Sequence, residues 1–496
     1  MFKHLAVKKS LILLVAALMC VAVLLAACSE KPFTPNFDAP ANNLEVGSNG
    51  GVAVTYGEWI YYVNGYESSV NADNTYANVN DDPRVGSVVR IKAADLADIL
   101  KINDDDTLTS SQRTEKIAAE VRTHTQVVVP RFYFSGNTTT AELNGIYIFN
   151  NRLYILTPND QLTAGGNPQT TQAVLMSYDL NGANEQRHFT FTSNAAQIWL
   201  YEHNNTVMAT YLMDNQLHVL NVATGVDTAL VDSEGENETV SSVTFDISQN
   251  SLGQCVIFLD SDGSICKLAK GATEKTVVID NSTEDGEDAR FTYTISSVAN
   301  GFVYYTKADT ENSSLDGTVL YYVNTNAADG NYTEKVALAT ANVTATGWKE
   351  NNVVIVRQND RGYYGLYIVK SQTGATVTLL QPGYNKDSIT INKIDGDNLI
   401  YTAGGVTYIK KLSDFVENGE VVGNSEQETL LGTPYATSWS TNPSVGWAVP
   451  DIVTVGEHTY MFTLGTGSVT VVEFDAVKKT NGTSTTLTLT AEPDED

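Results

Sequence analysis

Five apolar strand segments recur along the middle of this chain at nearly one spacing. Val207–Leu212, Val256–Leu259, Val303–Tyr305, Val353–Val356 and Leu399–Tyr401 begin at intervals of 49, 47, 50 and 46 residues. Each is followed by a partner: LHVLNVATG from Leu217, ICKLAKG from Ile265, LYYVNTN from Leu320, LYIVKSQTG from Leu366 and TYIKKLSD from Thr407. A period of about 40–50 residues is that of a propeller blade. A single blade cannot bury its apolar faces, so the repeats must stack side by side. Runs rich in Val, Ile, Thr and Tyr between Asn-Gly, Asp-Gly and Gly-rich breaks read as strands and hairpins, and the 25 tyrosines suit half-buried pleated surfaces. The fold class is therefore all-β: a β-propeller over 52–492, with eight blades and seven as the alternative count. The blades are placed near 52–100, 125–188, 190–232, 240–283, 291–338, 342–381, 388–432 and 433–492. Each hairpin is expected to couple an apolar inner strand to a more polar outward one. The alternating run TSTTLTLTAE near the C-terminus is expected to close the ring onto the first blade, since an open sheet edge would otherwise be exposed at each end.

The first blade breaks the period. A long loop, Tyr66 to Gly86, precedes SVVRIK, and a helical insertion over 94–122 follows. Leu96, Ile99 and Leu100 fall at i, i+3 and i+4, while Thr109 or Ser110 is placed to N-cap a second helix carrying Ile117 and Val121. Such an insertion is either a cap on one face or a binding element.

The N-terminus carries an address. Lys3, Lys8 and Lys9 precede an uncharged apolar run, LILLVAALMCVAVLLAAC from Leu11 to Cys28, the pattern of a secretory signal. Its end, Leu25-Ala26-Ala27-Cys28, resembles the lipobox of bacterial lipoproteins, and that resemblance implies cleavage after residue 27 and a diacylglyceryl chain on Cys28. The rival is an uncleaved membrane helix, near the lower length limit of about 17 residues; Ser29-Glu30-Lys31-Pro32 immediately after Cys28 argues against it. Lipidation would place the protein at the cell membrane on its extracytoplasmic face, or on the outer membrane of a two-membrane cell. Residues 28–51, with three prolines and no periodicity, read as a flexible tether.

Acidic residues outnumber basic ones 58 to 30, and removal of residues 1–27 deepens the net charge from −28 to −31. That polyanion excludes nucleic acid and anionic headgroups as partners. Besides the anchor, the mature chain holds only Cys255 and Cys266, in CVIFLDSDGSIC. With a turn centred on Asp262-Gly263, Cys266 lies opposite Leu259 and Cys255 about 13 Å away on the same face. A disulfide tolerates only about 7 Å between Cα atoms, so two free thiols are expected.

Catalytic patterns are missing. His124, His188, His203, His218 and His458 show no zinc spacing, and no nucleophile elbow, Walker loop or dinucleotide fingerprint occurs. No cofactor is expected. Calcium is the one cation to weigh: Asp104 to Asp106, Asp260 with Asp262-Gly263, and Asp395 with Asp397 cluster, but none completes a calcium loop with a distal glutamate. For DSDG and DGDN, hairpin-turn chemistry is the simpler reading. Trp59, Trp199 and Trp348 are placed in the core, whereas Trp439 and Trp447 lie in an irregular loop that could stack on sugar rings.

The blocks YGEWIYYVNGY (56–66), VGSVVRIK (85–92), VVVPRFYF (127–134), NGIYIFNNRLYILTPND (144–160) and the hairpins from 300 to 370 resemble surface lipoproteins of Gram-positive anaerobes. Those carry a β-propeller of unknown function, distantly similar to the low-density-lipoprotein-receptor type. The resemblance covers most of the mature chain and implies the fold and the surface location. It rests on fold-forming aromatics and turns, transfers no catalytic residue, and lacks the receptor's YWTD motif. The chain thus reads as a non-enzymatic binding or scaffold module for a protein, peptide or envelope polymer, with Tyr66, Tyr76, Asp82, Arg84, Arg131 and Tyr133 as candidate ligand contacts. The alternative is a surface carbohydrate-active enzyme, a glycosidase or lyase, using paired carboxylates in the central channel.

Overall fold

The computed structural model describes residue 35 and residues 37–490 apart from 66–85, 131–144, 159–171, 193–196, 247–253, 282–289, 312–315, 339–342, 349–351, 371–375, 381–388, 422–428, 433–450, 476–479 and scattered breaks of one or two residues. Among the described residues, eight antiparallel sheets of four or five strands follow one another in sequence order, over 46–129, 147–190, 197–229, 241–279, 291–338, 343–380, 389–432 and 451–486, with a two-stranded ribbon, Val416–Glu417 on Glu420–Val421, inside the seventh. The inner strand of the first, Ala53–Tyr56, lies beside the inner strands of both the second, Tyr147–Phe149, and the eighth, Asp451–Val455. The ring is closed, and the fold is an eight-bladed β-propeller.

Blades three to seven fall close to the expected boundaries, because their apolar repeat is uninterrupted. The first blade is longer. Its helices, α1 (Ala93–Lys101) and α2 (Ser110–His124), sit between its third strand, Val88–Lys92, and its outer strand, Gln126–Val129. Thr109 caps α2 in a reciprocal box: its hydroxyl accepts from the Gln112 amide, and the Gln112 side chain accepts from the Thr109 amide. Leu96, Ile99, Leu100, Ile117 and Val121 are buried against the blade.

Within a blade the apolar repeat marks the second strand, not the innermost. Cys255–Leu259 is buried at every position, whereas the inner strand before it, Ser241–Asp246, is largely exposed or half-buried. The second and third strands are covered on both sides by neighbouring blades, while the inner strand lines the axis. Outer strands such as Val226–Ala229 are exposed. Several tight turns use pairs the Gly-based reading passes over: Asn150-Asn151, Asn204-Asn205 and Asp214-Asn215 all have both residues at positive φ. That is the mirror-type turn whose twist suits a hairpin.

Closure uses no exchanged strand. Thr485 and Thr486 pair with Val471 and Thr470 inside the eighth blade. Thr485 Oγ1 accepts from the Asn103 side chain of the first blade at 2.7 Å, and the tail beyond continues there, where the Asn64 side chain donates to the Leu489 carbonyl at 2.9 Å and accepts from its amide at 2.7 Å. Tyr62 and Phe462 pack with centroids 5.4 Å apart across the seam.

Cys255 and Cys266 are both free and buried. Cys266 stands opposite Phe258, one residue from the expected register, because the turn takes Asp260 to Ser264 with Gly263 at φ 75°. A slip of one residue reverses a side chain's face. The cysteines therefore point to opposite sides of the fourth blade, Cys266 into the core shared with the third and Cys255 into that shared with the fifth. Burial pushes the Cys255 thiol up to about 12 and raises Cys266 as well. Neither thiol is expected to react with a maleimide in the native protein at pH 7.5. Both should label after unfolding, as read by intact mass.

Candidate functional site

Each blade is built on four antiparallel strands, with a fifth added in the first and the eighth, so its connections sort into two ends. The hairpin between second and third strands and the link to the next blade open at one end, here the loop end. The hairpin between first and second strands and the connection to the outer strand open at the other. In the first blade that second connection is α1 and α2, so this is the helical end.

Tyr66, Tyr76, Asp82 and Arg84, together with Arg131 and Tyr133, lie outside the described residues, as do Cys28, Trp439 and Trp447. The flanks of their segments are described. Residues 66–85 leave from Gly65 and return at Gly86, where the Gly86 amide donates to the carbonyls of Asn64 at 3.3 Å and Gly65 at 3.1 Å. Residues 131–144 join the first blade to the second, and 433–450 join the seventh to the eighth. The described residues that flank all three stand at the loop end, on blades adjacent around the ring.

Three polar clusters that the sequence does not announce are visible among the described residues. In the fourth blade, Lys275 Nζ donates to Glu238 Oε2 at 2.5 Å and Asp260 Oδ2 at 2.8 Å, and the two carboxylate side chains are 0% and 2% exposed. Glu238 Oε1 also accepts from the amide and hydroxyl of Ser261. Asp260 Oδ1 takes the amides of Asp262 and Ser264, and Oδ2 takes the Cys266 thiol at 3.1 Å. The DSDG carboxylate that offered itself to calcium is thus spent on its own turn and on Lys275. Burial would lower the lysine's affinity for its proton, but the bonds to Asp260 and Glu238 outweigh it and leave Lys275 above its ordinary value. An ammonium locked between two acids supplies neither a general base nor a free carboxylate.

In the second blade, Arg152 donates to Ser177 Oγ through Nε and Nη2 and to Asp179 at 2.6 Å, while Ser177 Oγ lies 2.6 Å from His188 Nε2. A serine beside a histidine suggests nucleophilic catalysis, but Ser177 is fully buried, so the network ties the third strand to the outer one. Burial first, then the Arg152 charge, lowers the affinity of His188 for a proton. The unfolded chain therefore takes up that proton first on acidification. Its contribution to stability is complete above about pH 6.5 and is lost as pH falls from there through the lowered native value. The thermal midpoint is expected to drop between pH 7 and 5, and His188→Gln should flatten that slope.

In the first blade, Arg90 is 1% exposed and none of its described partners is a carboxylate. Its guanidinium donates to Gln126 Oε1 (2.9 Å), Tyr61 Oη (3.2 Å), the Leu180 carbonyl (3.1 Å) and the Asp38 carbonyl (2.8 Å). It lies between the rings of Trp59, 4.2 Å from its carbon, and Phe37, at 4.6 Å. The cation is held by carbonyl dipoles and ring faces. No group of three or more His, Cys, Asp or Glu side chains among the described residues is arranged to hold a metal ion.

No known family model matches this chain, and no curated protein matches it. Among solved structures, it is similar to a prolyl endopeptidase at 11% identity and TM-score 0.39, over 91% of this chain and 59% of that one. The chain therefore spans under two thirds of the endopeptidase's length. It is similar to an oligogalacturonate lyase solved with manganese at 12% identity and TM-score 0.37, over 63% of this chain and 89% of that one. The WD40 domain of SCAP from fission yeast is similar at 9% identity and TM-score 0.31, over 67% and 85% of the two chains. These likenesses are too distant to carry function, and the class of the protein, an eight-bladed β-propeller, rests on its own sheet topology.

Proposed function

We propose that this protein is a lipid-anchored extracytoplasmic propeller that binds an envelope protein, peptide or polymer through its loop end. What supports the reading is topological: Gly65, Gly86 and Pro130, which flank the segments holding Tyr66, Tyr76, Asp82, Arg84, Arg131 and Tyr133, stand at one end of the first blade. Gly432 and Asp451, which flank the connection holding Trp439 and Trp447, stand at the same end of neighbouring blades. A rigid ring that gathers long, aromatic-bearing connections at one end is a platform for recognition. The net charge of −28 favours a partner that is not itself a polyanion.

The carbohydrate-active alternative requires two carboxyl groups about 5–9 Å apart in an open cleft. Glu238 and Asp260 are brought together by Lys275, but inside the fold, so they do not form such a pair. The test of the binding reading is in-cell crosslinking of the lipidated protein with mass spectrometry of what co-purifies, beside Cys28→Ala as the unanchored control. Deleting residues 67–84 is expected to abolish capture while leaving the thermal midpoint unchanged, because the loop's roots are bonded to each other at Gly65 and Gly86. Unaltered capture would remove this loop from the site.

A further inference from the structure

We infer that residues 37–51 form a strap that crosses the helical end from the third strands of the first two blades and then runs along the inner edge of the ring, and that this strap sets the ring's orientation at the membrane, helical end inward and loop end outward. The inference rests on the reading that Cys28 is lipidated.

The path of the strap is drawn by its bonds. At the helical end, Phe37 and Asp38 cover Arg90, and Asn181 Nδ2 donates to the Phe37 carbonyl at 3.2 Å. Asn43 donates its amide to Asn151 Oδ1 at 2.8 Å, and the Gly57 amide donates to the Glu45 carbonyl at 3.0 Å. Asn151 and Gly57 are turn residues of that same end. Val46 and Gly47 then pair antiparallel with Tyr56 and Thr55, adding a fifth strand on the axial side of the first blade.

At the loop end the strap bridges three blades. Ser48 Oγ donates to the Ile452 carbonyl at 2.9 Å. The Asn49 side chain donates to the Ile148 carbonyl at 3.1 Å and accepts from its amide at 2.7 Å. Gly50 donates to the Ile146 carbonyl, Ile146 donates to the Gly51 carbonyl, and Asp451 accepts the amides of Val52 and Ala53. The glycines here serve close approach rather than flexibility. A Cβ on Gly145 would lie 2.1 Å from the Gly50 carbonyl oxygen, and one on Gly51 would lie 2.3 Å from Asp451 Oδ2.

The free connection to the anchor is therefore short. Nine residues lead from Cys28 to Phe37, at most about 32 Å when fully extended. They meet the ring at its helical end, so that end lies within this distance of the lipid. A reversed ring would use most of that length on the strand height of about 20–25 Å and would still have to round the rim. The loop end is thus presented away from the membrane, toward an envelope partner.

The test uses the full lipidated chain in phosphatidylcholine vesicles containing an acceptor-labelled lipid, with a donor dye on Glu115→Cys in α2 or on Glu234→Cys at the loop end. Both positions are exposed and the native thiols are buried. Stronger energy transfer from position 115 than from 234 is expected; equal or reversed transfer overturns the orientation. Failure to float with the vesicles removes the anchor, and the orientation falls with it.

The strap is read separately, by hydrogen exchange on the unlipidated Cys28→Ala chain. The amides of Gly50, Val52, Gly57 and Ile146 should be protected, and Asn49→Ala should speed exchange at Ile148 and over 46–52 by about tenfold or more with distant blades unchanged. Unprotected exchange at 46–52 in the parent chain overturns the strap whatever the vesicle result.

Discussion

Lys275→Met is expected to destabilise the protein by about 3–5 kcal/mol, because it leaves Glu238 and Asp260 as buried carboxylates with no cation between them. The methionine keeps most of the side-chain volume, so the cost is one of charge rather than of a cavity. Adding Glu238→Gln and Asp260→Asn should recover more than half of the loss in a urea titration. A Lys275→Met protein as stable as its parent would show that the cluster contributes nothing. Lys275 holds its proton more tightly in the fold than in the unfolded chain. The lysine's own contribution is therefore full below its ordinary value of about 10.4 and is lost as pH rises through the higher native value, so strongly alkaline solution should erode it.

Arg90→Met is expected to cost about 3–5 kcal/mol as well, for a different reason. The guanidinium donates to two backbone carbonyls, a side-chain amide and a phenol, and truncation leaves those acceptors buried without a donor. Arg90→Lys should recover only part of this, since one ammonium cannot reach in several directions and stacks poorly between Trp59 and Phe37. The loss should be seen in chemical denaturation and also in early proteolysis after Phe37, because the Asp38 carbonyl is one of the acceptors released. Equal stability of all three proteins would mean that the strap's outer clasp bears no energy.

The legible parts of the fold were those written locally. The spacing from Val207 to Leu399 records the second strand of successive blades, and a strand covered on both faces is mostly apolar through its middle, most completely at Cys255–Leu259. Leu96, Ile99 and Leu100 lie on one side of a helix whatever they pack against, and Thr109 caps α2 with its own neighbour Gln112. The register at Cys266 was not legible, because turns of two and of five residues differ by little locally yet place the cysteine on opposite faces. Residues 28–51 read as a tether because of their prolines and missing period, yet Val46 and Gly47 pair with the first blade, and Asp451, some 400 residues away, lies where a side chain on Gly51 would go.

The sequence by itself determined a period, and with it an all-β ring of stacked hairpins, since a unit with two apolar faces needs a neighbour on each side. It also determined where the period breaks, at the first blade, and it placed two free thiols at Cys255 and Cys266. Tertiary structure decided what sequence distance hides. It set the count of eight, brought Asn64 to Leu489 to close the ring, gathered Glu238 and Asp260 around Lys275, and drew residues 37–51 from one end of the axis to the other. Those contacts join residues tens to hundreds of positions apart and depend on burial and direction, which a linear pattern of apolar residues does not encode.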